Sequence, residues 1–192
     1  MTTAEPTLER KLVMLADSLQ AAHVPFAFGG AIALAYYAEP RATIDIDINV
    51  FVEPSAVDSV VNVVREFGVP VTAADRLTVE RDGQVRLWWG ITPLDFFFAY
   101  ERFHFNAAKR IRRVPFGEQV IPILAPEDLL VCKAVFDRRK DWIDIGQMLL
   151  LTAGELDVND ARRWLVAIAG AGDERVRRLD DAIANVLGNY SA

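Results

Sequence analysis

From Leu8 to Ala22 the apolar residues Leu12, Leu15, Leu19 and Ala22 recur at three- and four-residue spacing, which predicts an amphipathic helix with one core-facing stripe. His23-Val24-Pro25 interrupts that period, and Phe26-Ala27-Phe28 reads as a short buried strand. Gly29-Gly30 ends the strand and opens a helix of small residues over 31–38, stopped at Glu39-Pro40 because proline disfavours a helical residue before it. Thr43 to Val52 then alternates: Ile44, Ile46 and Ile48 share one face of a strand, and Asp45, Asp47 and Asn49 share the other. Pro54-Ser55 introduces a helix over 56–67 closed by Gly68. Strands are predicted over 77–80, 85–89 and 91–98, with Asp82-Gly83 as a hairpin turn. A further hairpin pairs 110–114 with 119–124 around Phe116-Gly117-Glu118. Beyond Pro126 every segment is helical: to about Phe136, then 140–151, 159–169 and 174–187. The pattern describes an α/β core over 1–124, with a mixed sheet, and a C-terminal helical region over 125–192 packed on it.

The acidic residues of the alternating strand change this from a fold into a candidate site. Asp45 and Asp47 project from one strand face about 7 Å apart, a spacing of two residue rises. Like charges this close repel unless a cation lies between them or each meets a basic partner. Carboxylate pairs that share the work with substrate phosphates suit Mg2+. The plainer alternative is an edge strand with a solvated face, which the following Val50-Phe51-Val52 disfavours. Asp95 stands alone in the apolar run ITPLDFFFAY, where a carboxylate needs a partner or a metal. Three such groups on one site would hold two Mg2+ ions, one at an attacking hydroxyl and one at a triphosphate. Gly29-Gly30, between a strand and a helix, would let backbone N–H groups approach that phosphate.

Composition narrows the classes of function. A single cysteine, Cys132, leaves no intramolecular disulfide, and two histidines, His23 and His104, leave little for a structural zinc site. The opening stretch mixes charges into its helical pattern, unlike a secretory leader, and the uncharged run 24–38 is too short to span a bilayer. A cytoplasmic protein without membrane contact is the expectation. The net charge of -6 argues against a nonspecific nucleic-acid coat, while Lys109, Arg110, Arg112 and Arg113, with Arg138, Arg139 and Lys140, offer local basic patches. Lys133 sits among Leu129, Leu130, Val131 and Val135, where an ammonium needs an anion that a triphosphate would supply. If 133–144 were one helix, Lys133, Asp137, Lys140, Asp141 and Asp144 would instead form four-apart surface pairs.

Phe28-Gly29-Gly30, fourteen residues, then Asp45-Ile46-Asp47 resembles the signature of the DNA polymerase β-like nucleotidyltransferases: an apolar residue, Gly, Gly or Ser, a helix-length spacer and Asp-x-Asp. Within that superfamily, Arg41-x-Thr43-x-Asp45-Ile46-Asp47 and the run from Pro126-Glu127-Asp128-Leu129-Leu130 through Lys133, Asp137, Lys140-Asp141 and Asp144 resemble the AbiEii/AbiGii (MenT-like) toxins of toxin–antitoxin systems. The resemblance implies a polymerase β-like core and transfer of a nucleoside monophosphate from an NTP. Asp45, Asp47 and Asp95 would be the metal ligands, and Asp45, Asp47, Asp95 and Lys133 the catalytic group. Gly29, Gly30, Arg41, Thr43, Lys133 and Asp144 would contact the nucleotide. It further implies a tRNA 3′ end as acceptor and a cognate antitoxin as partner. Two alternatives stay open: an antibiotic-modifying nucleotidyltransferase with the same chemistry, and an inactive homologue that only binds a nucleotide or a partner.

Overall fold

The computed structural model of the chain describes residues 5–152 and 155–190. It divides into two compact units, Met1–Ile32 with Ala42–Leu124, and Ala33–Arg41 with Ala125–Ala192.

The first unit carries a six-stranded sheet in the order β3-β4-β2-β1-β6-β5. Its strands are β1 (Phe26–Phe28), β2 (Ile46–Val50), β3 (Gln84–Trp89), β4 (Thr92–Phe98), β5 (Arg112–Phe116) and β6 (Gln119–Ile123). The sheet is mixed: β1 runs antiparallel to β2 and parallel to β6, β2 is parallel to β4, and β3/β4 and β5/β6 are hairpins. One face is apolar, with Ile46, Ile48, Val50, Leu94, Phe96 and Phe98 all buried. The unit's core also takes in Leu12, Leu15 and Leu19 of α1 (Leu8–Ala21) and Val60, Val61 and Val64 of α3 (Val57–Glu66), two helices in mutual contact. α2 (Gly30–Leu34) follows β1.

Three expectations are corrected here. The segment 77–80 is not a strand but part of α4 (Ala73–Asp82). Thr72 and Asp75 form a reciprocal capping box at its start, and Gly83, at φ 66°, ends it in the left-handed conformation glycine tolerates. These local signals outweigh the apparent alternation of Leu77-Thr78-Val79-Glu80. Asp82-Gly83 therefore ends a helix and turns no hairpin, while the strands expected over 85–89 and 91–98 do pair, through a turn at Gly90-Ile91. Ile44 is 76% exposed and precedes β2, so the inward isoleucine face begins at Ile46. A short helix, α5 (Arg102–Ala107), also lies where no element was expected.

The second unit holds α6 (Pro126–Phe136), α7 (Arg139–Leu151), α8 (Val158–Ala169) and α9 (Glu174–Tyr190). α6 packs against the other three, burying Leu129, Leu130, Val131 and Ala134. Asp137, at φ 55°, breaks α6 from α7, so no single helix runs from 133 to 144, and Asp144 is paired with Lys133 and Arg41. Among the described residues no helix is long and apolar enough to cross a membrane.

Candidate active site

The first unit gathers Asp45, Asp47, Asp95, Gly29 and Gly30 around adjacent strands. Asp47 and Asp95 are register partners across the parallel β2/β4 pair, on the face opposite the isoleucines. All three carboxylates are half-buried. Strand pairing places neighbouring backbones about 4.8 Å apart, so the two aspartates are side by side.

The double glycine is explained by Asp47. Gly30 has φ 52°, and a Cβ there would lie 1.7 Å from Oδ2 of Asp47. The position requires glycine twice over, for its backbone conformation and for the carboxylate that occupies the side-chain space. A Cβ on Gly29 would meet Nδ2 of Asn49 at 2.7 Å. The Gly29 N–H donates to the Asp47 carbonyl at 2.9 Å, so it is committed to the turn, contrary to the expectation of a free donor.

Asp45 accepts a hydrogen bond from the Thr43 hydroxyl. Asp95 accepts two from Arg86, both at 2.6 Å, in a fork-to-fork pair across the β3/β4 ladder. The Arg86 guanidinium is held above the ordinary arginine value, first by those hydrogen bonds and, through space, also by Asp45 and Asp47. Sequence reasoning missed Arg86. The usable signal was the two-residue turn Gly90-Ile91, which places Arg86 opposite Asp95.

These donors are carboxylate oxygens without thiolate or imidazole, a set that fits a hard divalent cation such as Mg2+. Among the described residues no three His, Cys, Asp or Glu side chains form an assembled metal cluster. Asp95 is engaged by Arg86 and Asp45 by Thr43, so the set is chemically suited but not drawn together.

Arg41, Lys133 and Asp144 meet in the second unit. Lys133 and Asp144 are buried, and the Lys133 ammonium donates to Asp144 Oδ2 at 2.7 Å. Arg41 donates to Oδ2 at 3.1 Å and to Oδ1 at 3.3 Å. Burial pushes the Asp144 carboxyl upward, but the hydrogen bonds from Arg41 and Lys133 outweigh it and hold the group below the usual aspartate value. The anion beside Lys133 is thus Asp144. Asp137 accepts from the Trp142 indole, and Asp141 caps α7 through Arg138. His104 closes a cap at Glu101, and burial lowers its imidazole below the ordinary value. Of the tryptophans of β3, Trp89 stacks on Phe67, whereas Trp88 is half exposed.

A mixed sheet with paired acidic positions on adjacent strands, and a glycine turn fitted against one of them, is the arrangement of a nucleotidyltransferase. The model of the AbiEii nucleotidyltransferase toxin family, type IV toxin–antitoxin system, matches residues 13–186, and the chain belongs to that family. Family membership implies an NTP substrate and a cognate antitoxin. No curated protein matches the chain in sequence.

Similar solved structures share the fold. ANT(2")-Ia in complex with adenylyl-2"-tobramycin is 13% identical, with a TM-score of 0.55 over 96% of this chain and 99% of that one. The lincosamide antibiotic adenylyltransferase LnuA, lincomycin-bound, is 15% identical, with a TM-score of 0.53 over 76% and 99%. An antigenic nucleotidyltransferase-like protein from Paracoccidioides brasiliensis is 16% identical, with a TM-score of 0.50 over 96% and 88%.

Proposed function

We propose that the protein moves a nucleoside monophosphate from an NTP onto an acceptor hydroxyl, using Mg2+ held by Asp45, Asp47 and Asp95, and that it is a toxin acting on tRNA 3′ ends. The observation that carries the chemistry is the Asp47–Asp95 register with Gly30 fitted beneath the Asp47 carboxylate. When bound, the cation supplies charge neutralisation at the triphosphate and acidifies the acceptor hydroxyl. Asp95 takes the hydroxyl proton, the acceptor oxygen bonds to the α-phosphorus, and the bond to the β-phosphate bridging oxygen breaks to release pyrophosphate. Gly30 fixes the Asp47 carboxylate, and Thr43 orients Asp45. In the second unit Arg41 and Lys133 carry two positive charges against the one of Asp144, a surplus suited to nucleotide phosphate. The cytoplasm, where NTPs and tRNA reside, is the proposed location.

Incubation with each α-labelled NTP, Mg2+ and total tRNA tests the reading. Label in the tRNA 3′ end, absent with Asp47→Asn, is the expected result. The likeness to ANT(2")-Ia and LnuA motivates a second reading, in which the acceptor is a small antibiotic. Label in an aminoglycoside or lincosamide but not in RNA would favour it. No transfer with any NTP and metal would leave an inactive homologue. Growth arrest on expression, relieved by the cognate antitoxin, tests the toxin role separately.

A further inference from the structure

We propose that Arg86 is the resident counter-cation of the carboxylate site: it holds Asp95 while no divalent cation is bound, gives Asp95 up when one loads, and so sets the cation affinity. The inference rests on the reading that Asp45, Asp47 and Asp95 are the metal ligands.

The geometry points to a competitor as well as a support. Both hydrogen bonds from Arg86 to Asp95 are 2.6 Å, and they use both carboxylate oxygens, the atoms a cation would take. Arg86 lies on the outward phase of β3, between Gln84 and Trp88, and its side chain is 52% exposed against 13% for Asp95. Leaving Asp95 returns an already wet guanidinium to water and buries nothing new, so exchange is inexpensive. Asp95 has little other access to solvent. Without a cation it needs the partner, because Asp47 stands opposite it on the neighbouring strand and Asp45 lies just before that strand. Their field reaches Arg86, whose charged form is favoured by Asp45 and Asp47 as well as by Asp95. The four side chains carry a net charge of -2 with Arg86 present and -3 without it. Removing Arg86 therefore strengthens the attraction for a divalent cation and removes the group that must be displaced.

Mn2+ binding without nucleotide, followed by the electron paramagnetic resonance signal of free Mn2+, tests this on the whole chain. Arg86→Gln keeps a hydrogen-bonding side chain and drops the charge; it should bind Mn2+ about tenfold more tightly than the wild type. Arg86→Lys keeps the charge and loses the fork; it should stay within about threefold of the wild type. Thermal melting gives a second readout. Arg86→Gln should melt lower than the wild type in EDTA, where Asp95 loses its counter-charge, and should gain more on addition of Mn2+. Affinity in Arg86→Gln equal to or weaker than the wild type, while Asp47→Asn weakens binding, overturns the inference and leaves the metal site standing. Binding that Asp47→Asn does not weaken overturns the metal reading and this inference with it.

Discussion

Gly30 and Asp47 show how one side chain's position depends on another's absence. With φ at 52° and a carboxylate oxygen 1.7 Å from where its Cβ would be, Gly30 leaves an alanine no room. Gly30→Ala should displace the Asp47 carboxylate by an ångström or more, and such misplacement costs about 100-fold in kcat. Left-handed strain adds about 1–2 kcal/mol of destabilisation. Gly29→Ala should be milder, since its obstacle is the movable end of Asn49. Turnover and urea unfolding of the two variants, side by side, check the ranking. Asp144 makes a different kind of prediction. Asp144→Ala leaves the buried Lys133 without its anion, which costs about 3 kcal/mol at neutral pH. Because the folded carboxyl is held below its ordinary value, its stabilisation is complete above the unfolded pKa near ~4 and is lost as pH falls through the lower folded value. The stability gap between wild type and Asp144→Asn should therefore be widest near pH 7 and close in acid, as urea midpoints at several pH values would show.

Among the elements, the β3–β4 hairpin carries Arg86 and Asp95, and α1 holds its turn in place. Lys11 of α1 is 1% exposed, and its ammonium donates to the Trp89 carbonyl at 2.7 Å and the Thr92 hydroxyl at 2.9 Å. Lys11→Ala should destabilise the chain by about 2–3 kcal/mol, since hydrogen bonds from a charged group are the stronger kind and both acceptors are left buried. Hydrogen exchange over 84–98 should rise in that variant more than exchange over 46–50, which would distinguish a loosened hairpin from global weakening. Lys11 reads in the sequence as an ordinary polar position of an amphipathic helix, because what buries it is a turn some eighty residues away. Arg86 was hidden for a related reason: its partner Asp95 lies nine residues on and follows only from the cross-strand register that the Gly90-Ile91 turn sets. By contrast, the strand carrying Asp47 was legible, since period-two alternation is written in consecutive residues, although it spans Ile46–Val50 and leaves Asp45 just ahead of it. The C-terminal helices were legible too, from proline at the first turn and apolar periodicity.

At the scale of the whole chain, the two units are not two consecutive lengths of sequence. Residues 33–41 belong with 125–192, so a boundary at 124 would cut between a segment and its own unit. Ala33, Leu34, Tyr37 and Ala38 are buried, and Arg41 is paired to Asp144. A fragment of residues 1–124 would carry these apolar side chains without the helices of their unit, and should bind hydrophobic dyes and aggregate where the full chain does not. Charge gives the last prediction. The chain as a whole carries -6, so an RNA acceptor must be attracted locally, and Lys109 and Arg113 are exposed on the first unit. If the acceptor is tRNA, its apparent affinity should fall linearly with salt on logarithmic axes, and replacing each of these two cations with alanine should lower the slope by about 0.7–0.9. A lincosamide has few charges and would give a shallow slope, and a polycationic aminoglycoside would bind to acidic groups, so with either antibiotic replacing these two cations should not lower the slope. Salt titrations of the transfer reaction with both acceptor classes therefore separate the two readings, independently of which product accumulates.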